Sequence, residues 1–196
     1  TKSGGGAIHN RGNTGAADLV IGVTNGTNLF DSNTSMAHGG AIVSRAFDGT
    51  TQDSHITING TTRFVGNQST LNGGAIWNTV AQSDGTVGAA EIVFNGTTSF
   101  INNHAGEMGG ALYNNDTITF NGNTTFRGNT ANGIANDIHN DGTINFMGNT
   151  TIVGGVTGTG TLNIASGTTF DIGASSVTQG SIALNGTMLA TLRGGN

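Results

Sequence analysis

The sequence predicts an all-β fold, a right-handed parallel β-helix of roughly seven coils at one coil per repeat unit, and three observations predict it. A corner motif, Gly5-Gly6-Ala7-Ile8, returns as Gly39-Gly40-Ala41-Ile42, Gly73-Gly74-Ala75-Ile76 and Gly109-Gly110-Ala111-Leu112, spaced 34, 34 and 36 residues apart. A second motif, Phe-x-x-Asn, runs with it at Phe30–Asn33, Phe64–Asn67, Phe100–Asn103, Phe126–Asn129 and Phe146–Asn149. A third precedes most of these, a small turn such as Asn25-Gly26-Thr27, Asn59-Gly60-Thr61 or Asn95-Gly96-Thr97. Self-similarity at a fixed period marks a repeat architecture, and stacked coils explain why one residue type keeps returning to one corner.

Composition supports this choice. The 196 residues include 35 Gly, no Pro and no Cys, with six Lys and Arg against eleven Asp and Glu and a net charge of −5. Disorder usually carries high net charge, abundant Pro and few large apolar residues. Here Ile, Val, Leu and Phe recur at regular places, so ordered β structure is favoured. Thr, Ile, Val and Phe suit short strands, Asn-Gly and Gly-Gly supply the corners, and no apolar stripe at helical spacing survives ten residues. Without Cys there is no disulfide framework and no thiolate metal site. Scattered basic residues give no footprint for nucleic acid.

Coils stacked about 4.8 Å apart place equivalent side chains over one another. Phe30, Phe64, Phe100, Phe126 and Phe146 are expected to form an inward aromatic ladder, and Ile8, Ile42, Ile76, Leu112 and Ile138 an inward aliphatic one. Asn33, Asn67, Asn103, Asn129 and Asn149 then line a turn, where stacked amides bond from coil to coil. Alternation puts Ala7, Ala41, Ala75 and Ala111 outside, with His9, Val43, Trp77, Tyr113 and His139. The chain reads as one solenoid over 1–196, with both motifs in 1–149 and plainer coils such as Leu162-Asn163-Ile164 in 150–196.

Gly-Gly-Ala-Ile (or Leu) alternating with Phe-x-x-Asn resembles the repeat pair of the chlamydial polymorphic outer-membrane protein family. Those proteins are autotransporters, with a β-helical passenger exported through a C-terminal β-barrel. The resemblance covers residues 5 to about 149. It implies display at the extracellular or outer-membrane surface of a bacterium, adhesion to a protein or glycan on host or neighbouring cells, and end-to-end self-association into a fibre as an alternative. Membrane contact would come only through a β-barrel that this chain lacks.

Binding residues are sought where the repeat is interrupted. From Asn10 to Leu19, Ser44 to His55 and Asn78 to Glu91 the chain makes long excursions at a corner that is tight at Asn114–Thr117 and Asn140–Thr143. Loops on rigid scaffolds commonly carry binding residues, and these hold Arg45, Asp48, Asp53 and Asp84. Beside them runs the outward column His9, Val43, Trp77, Tyr113, His139, which holds the only Trp and the only Tyr. Exposed, these rings could stack on a sugar or enter a protein pocket. The binding candidates are therefore Trp77, Tyr113, His9, His139, Arg45, Asp48, Asp53 and Asp84. Asp137, His139 and Asp141 alternate along one strand, but two carboxylates and an imidazole are too few for a metal site, so neither metal nor cofactor is expected. A polysaccharide-degrading β-helix enzyme would need clustered carboxylates; with acids this sparse, no catalytic residue is assigned and no enzyme is expected.

Overall fold

A computed structural model describes residues 5–12, 15–47, 52–81 and 88–191. It is a parallel β-helix with no helical segment among the described residues. Four stacks of strands form its faces. The first face holds Ile8–Arg11, Ile42–Ala46, Ile76–Val80, Leu112–Asn114, Ile138–Asn140 and Val156–Thr157. The second runs from Ala17–Ile21 through Ser54–Ile58, Ala90–Phe94, Thr117–Phe120, Thr143–Phe146 and Thr161–Ile164 to Ser181–Leu184. The third runs from Thr27–Asp31 through Thr61–Val65, Thr98–Ile101, Thr124–Arg127, Thr150–Ile152 and Thr169–Gly173 to Thr187–Ala190. The fourth is narrow, made of the two-residue strands Thr34–Ser35, Gln68–Ser69, His104–Ala105 and Thr130–Ala131. Seven strands in each of the second and third faces correspond to seven coils.

The fourth face closes differently. Ile134–Ala135 pairs antiparallel with Thr130–Ala131, the one antiparallel pairing among the described strands. The turn between them, Asn132-Gly133, has φ of 49° and 72°. Positive φ at both central residues is what a two-residue hairpin matched to strand twist requires, and Asn-Gly supplies it at least cost.

The core is a set of ladders. Phe30, Phe64, Phe100 and Phe126 stack in register on the third face, with centroids 4.7, 4.8 and 4.7 Å apart and rings within 6° of parallel. Phe146 does not belong to this ladder. It lies on the second face above Phe120 and Phe94, at 5.4 and 4.9 Å in turn, and meets Phe170 at 5.2 Å in a tilted contact. The two ladders touch edge to face, as at Phe100–Phe120 (6.2 Å, 90°), an arrangement favoured by the ring quadrupole. The place above Phe126 is taken by Ile152.

A second correction concerns the corner alanines. Ala41, Ala75 and Ala111 are fully buried in the core and do not face outward. The N–H groups of Ala41 and Ile42 both donate to Ala75 O, and those of Ala75 and Ile76 both to Ala111 O. Ala41, Ala75 and Ala111 lie in the bend just before each first-face strand, so the inside–outside alternation of the strand does not reach them. The glycines before them are obligatory for two reasons. Gly39, Gly73 and Gly109 have φ of 58–68°, and a Cβ on Gly40 would stand 2.1 Å from Gly74 O.

The Phe-x-x-Asn amides form a buried chain. Asn33 donates through Nδ2 to Asn67 Oδ1 (2.8 Å), Asn67 to Asn103 (2.9 Å) and Asn103 to Asn129 (2.9 Å), and each lower backbone N–H donates to the same oxygen above it. Asn149 is not part of this chain. It is exposed, donates its N–H to Asn123 Oδ1 and accepts from Thr169 N–H. The next coil has Gly155 where an Asn would continue the ladder, and Asp137, from the buried alanine position, fills the gap. Its Oδ1 accepts from Asn129 Nδ2 (2.7 Å), and its Oδ2 from Val153 N–H (3.0 Å) and Gly154 N–H (2.5 Å). Burial raises the Asp137 carboxyl above the usual carboxylate range, with these hydrogen bonds pulling the other way.

Candidate functional site

The loop-bearing corner joins the first face to the second, and one polar side chain closes it in each of the first five coils. Asn10 Nδ2 donates to Ala17 O (2.7 Å), Ser44 Oγ bonds Ser54 Oγ (2.9 Å), Asn78 Nδ2 donates to Ala90 O (2.9 Å), and Asn114 and Asn140 reach Asp116 O and Gly142 O. These amides also form a ladder of their own, from Asn78 to Asn114, Asn140 and Gln179, at 2.8, 2.8 and 2.7 Å. The sequence carries its signal, a polar residue two after each inward Ile or Leu, although the only amide ladder that sequence reasoning finds is that of Phe-x-x-Asn. Each neck is shut by a polar side chain whether one residue lies outside it, as at Asn114–Asp116, or eleven, as at Asn78–Ala90, so the core is indifferent to loop length. The first-face strands of the long coils run on past the neck, where Ala46, Val80 and Ala90 make a small separate core.

On the outer side of this extension lies an aromatic and cationic cluster. Alternation along Ile42–Ala46 buries Ile42 and Ser44 and turns Val43 and Arg45 outward, although Val43 is itself fully covered. Arg11 and Arg45 are neighbours in register. Both guanidinium carbons stand over the Phe47 ring, at 4.1 and 4.4 Å, and Arg45 is 5.8 Å from the Trp77 ring. Trp77 stacks on His38 at 4.2 Å and 12°. Burial, Glu107 and Arg45 act on His38 with a net fall in its pKa, and burial, Arg11 and Arg45 lower that of His9. Burial first, then the Arg11 charge, also lowers Arg45, whose Nε is buried without an acceptor. His38 and Phe47 escape sequence reasoning. His38 lies one coil before Trp77, just ahead of a Gly-Gly corner, and only the stacking of coils brings the two rings together.

The sequence-predicted residues therefore fall into separate groups. His9, Arg45 and Trp77 share the cluster just described. Tyr113 and His139 stack on each other at 5.2 Å, in register with Trp77 but in a second group. His139 Nε2 is 2.9 Å from Asp141 Oδ2, while Asp137 turns into the core, so the three alternating residues do not converge. Asp53 accepts from Ala89 N–H (2.7 Å) and lies 3.8 Å from His55, which also faces Glu91 at 3.5 Å; these tie neighbouring coils together. Asp48 and Asp84 lie outside the described residues.

No curated protein and no solved structure matches the chain. Residues 61–79 and 97–115 each match the family model of the Chlamydia polymorphic membrane protein repeat. Each match begins at a third-face strand, spans the buried Phe and Asn, passes the Gly-Gly-Ala corner and ends beside the neck amide. Two successive coils of the chain are thus similar to the repeat of the Chlamydia polymorphic membrane proteins.

Proposed function

We propose that this chain is part of a bacterial surface passenger of the polymorphic-membrane-protein type, and that it binds an anionic partner on a host or neighbouring cell through the outer side of the first face. The repeat match supports the surface assignment. The observation that carries the binding assignment is Arg45, whose charge sits in register against that of Arg11 beside the Phe47 and Trp77 rings. A bound anion offsets the two adjoining charges, because a planar guanidinium recognises carboxylate and sulfate with directed hydrogen bonds. The Trp77 indole beside it offers a flat surface for a sugar ring. A glycan bearing carboxylate or sulfate groups matches this pairing of charge and flat apolar area.

Trp77 is the only tryptophan, so its fluorescence reports the site directly. Titration with sulfated and uronic-acid oligosaccharides is expected to shift its emission saturably, and neutral oligosaccharides of equal length are not. Arg45→Ala should weaken binding by roughly tenfold or more, the scale of one lost charge-assisted contact. Equal response to neutral sugars, or unchanged affinity in Arg45→Ala, would refute the assignment.

A further inference from the structure

The second outward group has a geometry that the binding function does not use. His139 and Thr157 are in-register neighbours on adjacent coils of the first face. His139 Nδ1 is 3.0 Å from Thr157 Oγ1, and His139 Nε2 is 2.9 Å from Asp141 Oδ2. Asp141 is fixed in turn, its Oδ1 accepting from the Thr159 N–H (2.9 Å) and hydroxyl (3.0 Å). A carboxylate only accepts, so Nε2 carries the proton. The lone pair of a neutral imidazole then lies on Nδ1, at 3.0 Å a closer acceptor for the Thr157 hydroxyl than Ile138 O at 3.4 Å. Tyr113 packs flat against the imidazole. Asn136 Nδ2 stands 3.1 Å from the same Oγ1. Thr157 and Asn136 border a groove of about 340 Å³ whose other walls are the apolar Met108, Ala131, Ile134 and Ala135 together with Glu107 and Asn132.

Hydroxyl, imidazole and carboxylate in this order, each within hydrogen-bond reach of the next, are the parts of an activated nucleophile. The chain contains its own comparison. His104 Nδ1 lies 2.9 Å from Thr130 Oγ1, also across an in-register pair, but among the described residues no carboxylate contacts that imidazole. A His–Thr contact is thus a way of joining coils, and the carboxylate-bound ring beside a groove with apolar walls at Met108, Ile134 and Ala135 sets Thr157 apart.

We propose that Thr157 is an acyl-accepting nucleophile acting on esters of short apolar acids, with His139 as general base and Asp141 as its positioning residue. Thr157 Oγ1 forms a bond to the ester carbonyl carbon while its proton passes to His139 Nδ1. The carbonyl oxygen takes the negative charge, and Asn136 Nδ2 donates to it. Collapse breaks the carbon–oxygen bond to the alcohol, which leaves with the proton held by His139. Water then attacks the acyl-threonine by the same route, releasing the carboxylic acid and restoring the hydroxyl. The groove walls accommodate the acyl chain.

The test treats the full chain with an alkyl fluorophosphonate, which phosphonylates an activated hydroxyl with loss of fluoride, and maps the adduct by peptide mass spectrometry. One adduct is expected, at Thr157, with none at Thr130. Hydrolysis of p-nitrophenyl butyrate should be abolished by Thr157→Val, retained by Thr157→Ser, and reduced about 100-fold by His139→Gln, the lower end of general-base contributions. Circular dichroism verifies that each variant is folded, and Thr157→Val keeps the side-chain shape if His139→Gln does not fold. Absence of an adduct in the parent chain, equal modification of Thr130, or labelling and hydrolysis that persist in Thr157→Val would overturn the proposal.

Discussion

Asn103 and Asn149 occupy the same place in the same short motif, and replacing each by Ala should have very different effects. Asn103 has zero exposure. Its Oδ1 accepts from the Asn67 N–H (3.0 Å) and Nδ2 (2.9 Å), and its Nδ2 donates to Asn129 Oδ1 (2.9 Å) and Phe64 O (3.1 Å). After Asn103→Ala, Asn67 Nδ2 keeps Phe30 O, and Asn129 Oδ1 keeps the residue 103 N–H. The Asn67 N–H keeps nothing. A buried donor stranded this way costs about 1–3 kcal/mol, and the other three lost bonds add about 0.5–1.5 kcal/mol each, giving roughly 2.5–7.5 kcal/mol in all. At about 2–4 °C per kcal/mol for a chain of this size, Tm should fall on the order of 10 °C. Asn149→Ala removes one exposed acceptor, for Thr169 N–H, and retains the backbone donor to Asn123. Its cost should stay below about 1 kcal/mol. Thermal melts followed by circular dichroism compare the two, and hydrogen exchange at the Asn67 amide tests the cause. Equal drops in Tm, or an Asn67 amide as protected in Asn103→Ala as in the parent, would refute the reasoning.

Three further outcomes are expected. Phe100→Ala, at a fully buried ring stacked on Phe64 and Phe126, should cost about 3–5 kcal/mol in urea unfolding; a loss no larger than that of Phe30→Ala, stacked on one side only, would contradict the ladder. Gly40→Ala forces a methyl group against Gly74 O and the Gln68 backbone, so its yield of folded chain, measured by size exclusion, should collapse. The Asp141 carboxyl is raised by partial burial, but hydrogen bonds from Thr159 and the nearby His139 outweigh this, and its net pKa is lowered. Its stabilisation is therefore complete above the unfolded-state value of about 3.9 and is lost as pH falls through the lower folded value. An NMR titration of the Asp141 carboxyl carbon with a midpoint at or above that value would contradict it.

The wall of the solenoid was legible because Gly-Gly-Ala-Ile and Phe-x-x-Asn are periodic, and period is what stacking writes into a chain. The errors arose where one spelling serves two corners. Phe120–Asn123 and Phe146–Asn149 read as Phe-x-x-Asn, yet both Phe residues lie on the second face, and only register tells them from Phe126–Asn129. The outward placement of Ala41, Ala75 and Ala111 failed because alternation was extended one residue too far, into the bend that precedes each strand. The candidate sites were partly legible. His9, Arg45 and Trp77 come from one column and its neighbour, which alternation identifies. Their partners His38 and Phe47 come from a corner and a loop, and no local pattern announces them. Thr157 was hidden for another reason: its importance depends on His139 in the preceding coil, 18 residues away.

The amide-closed necks have a consequence for how such a chain can change. Because Asn10, Ser44, Asn78, Asn114 and Asn140 present the same two ends to whatever lies beyond them, new segments can be exchanged there one coil at a time. Variation should accumulate at this single seam while the remaining circumference stays uniform. A foreign peptide grafted between Asn114 and Asp116 would be held at fixed pitch beside its neighbours, making the seam a natural rack for multivalent display.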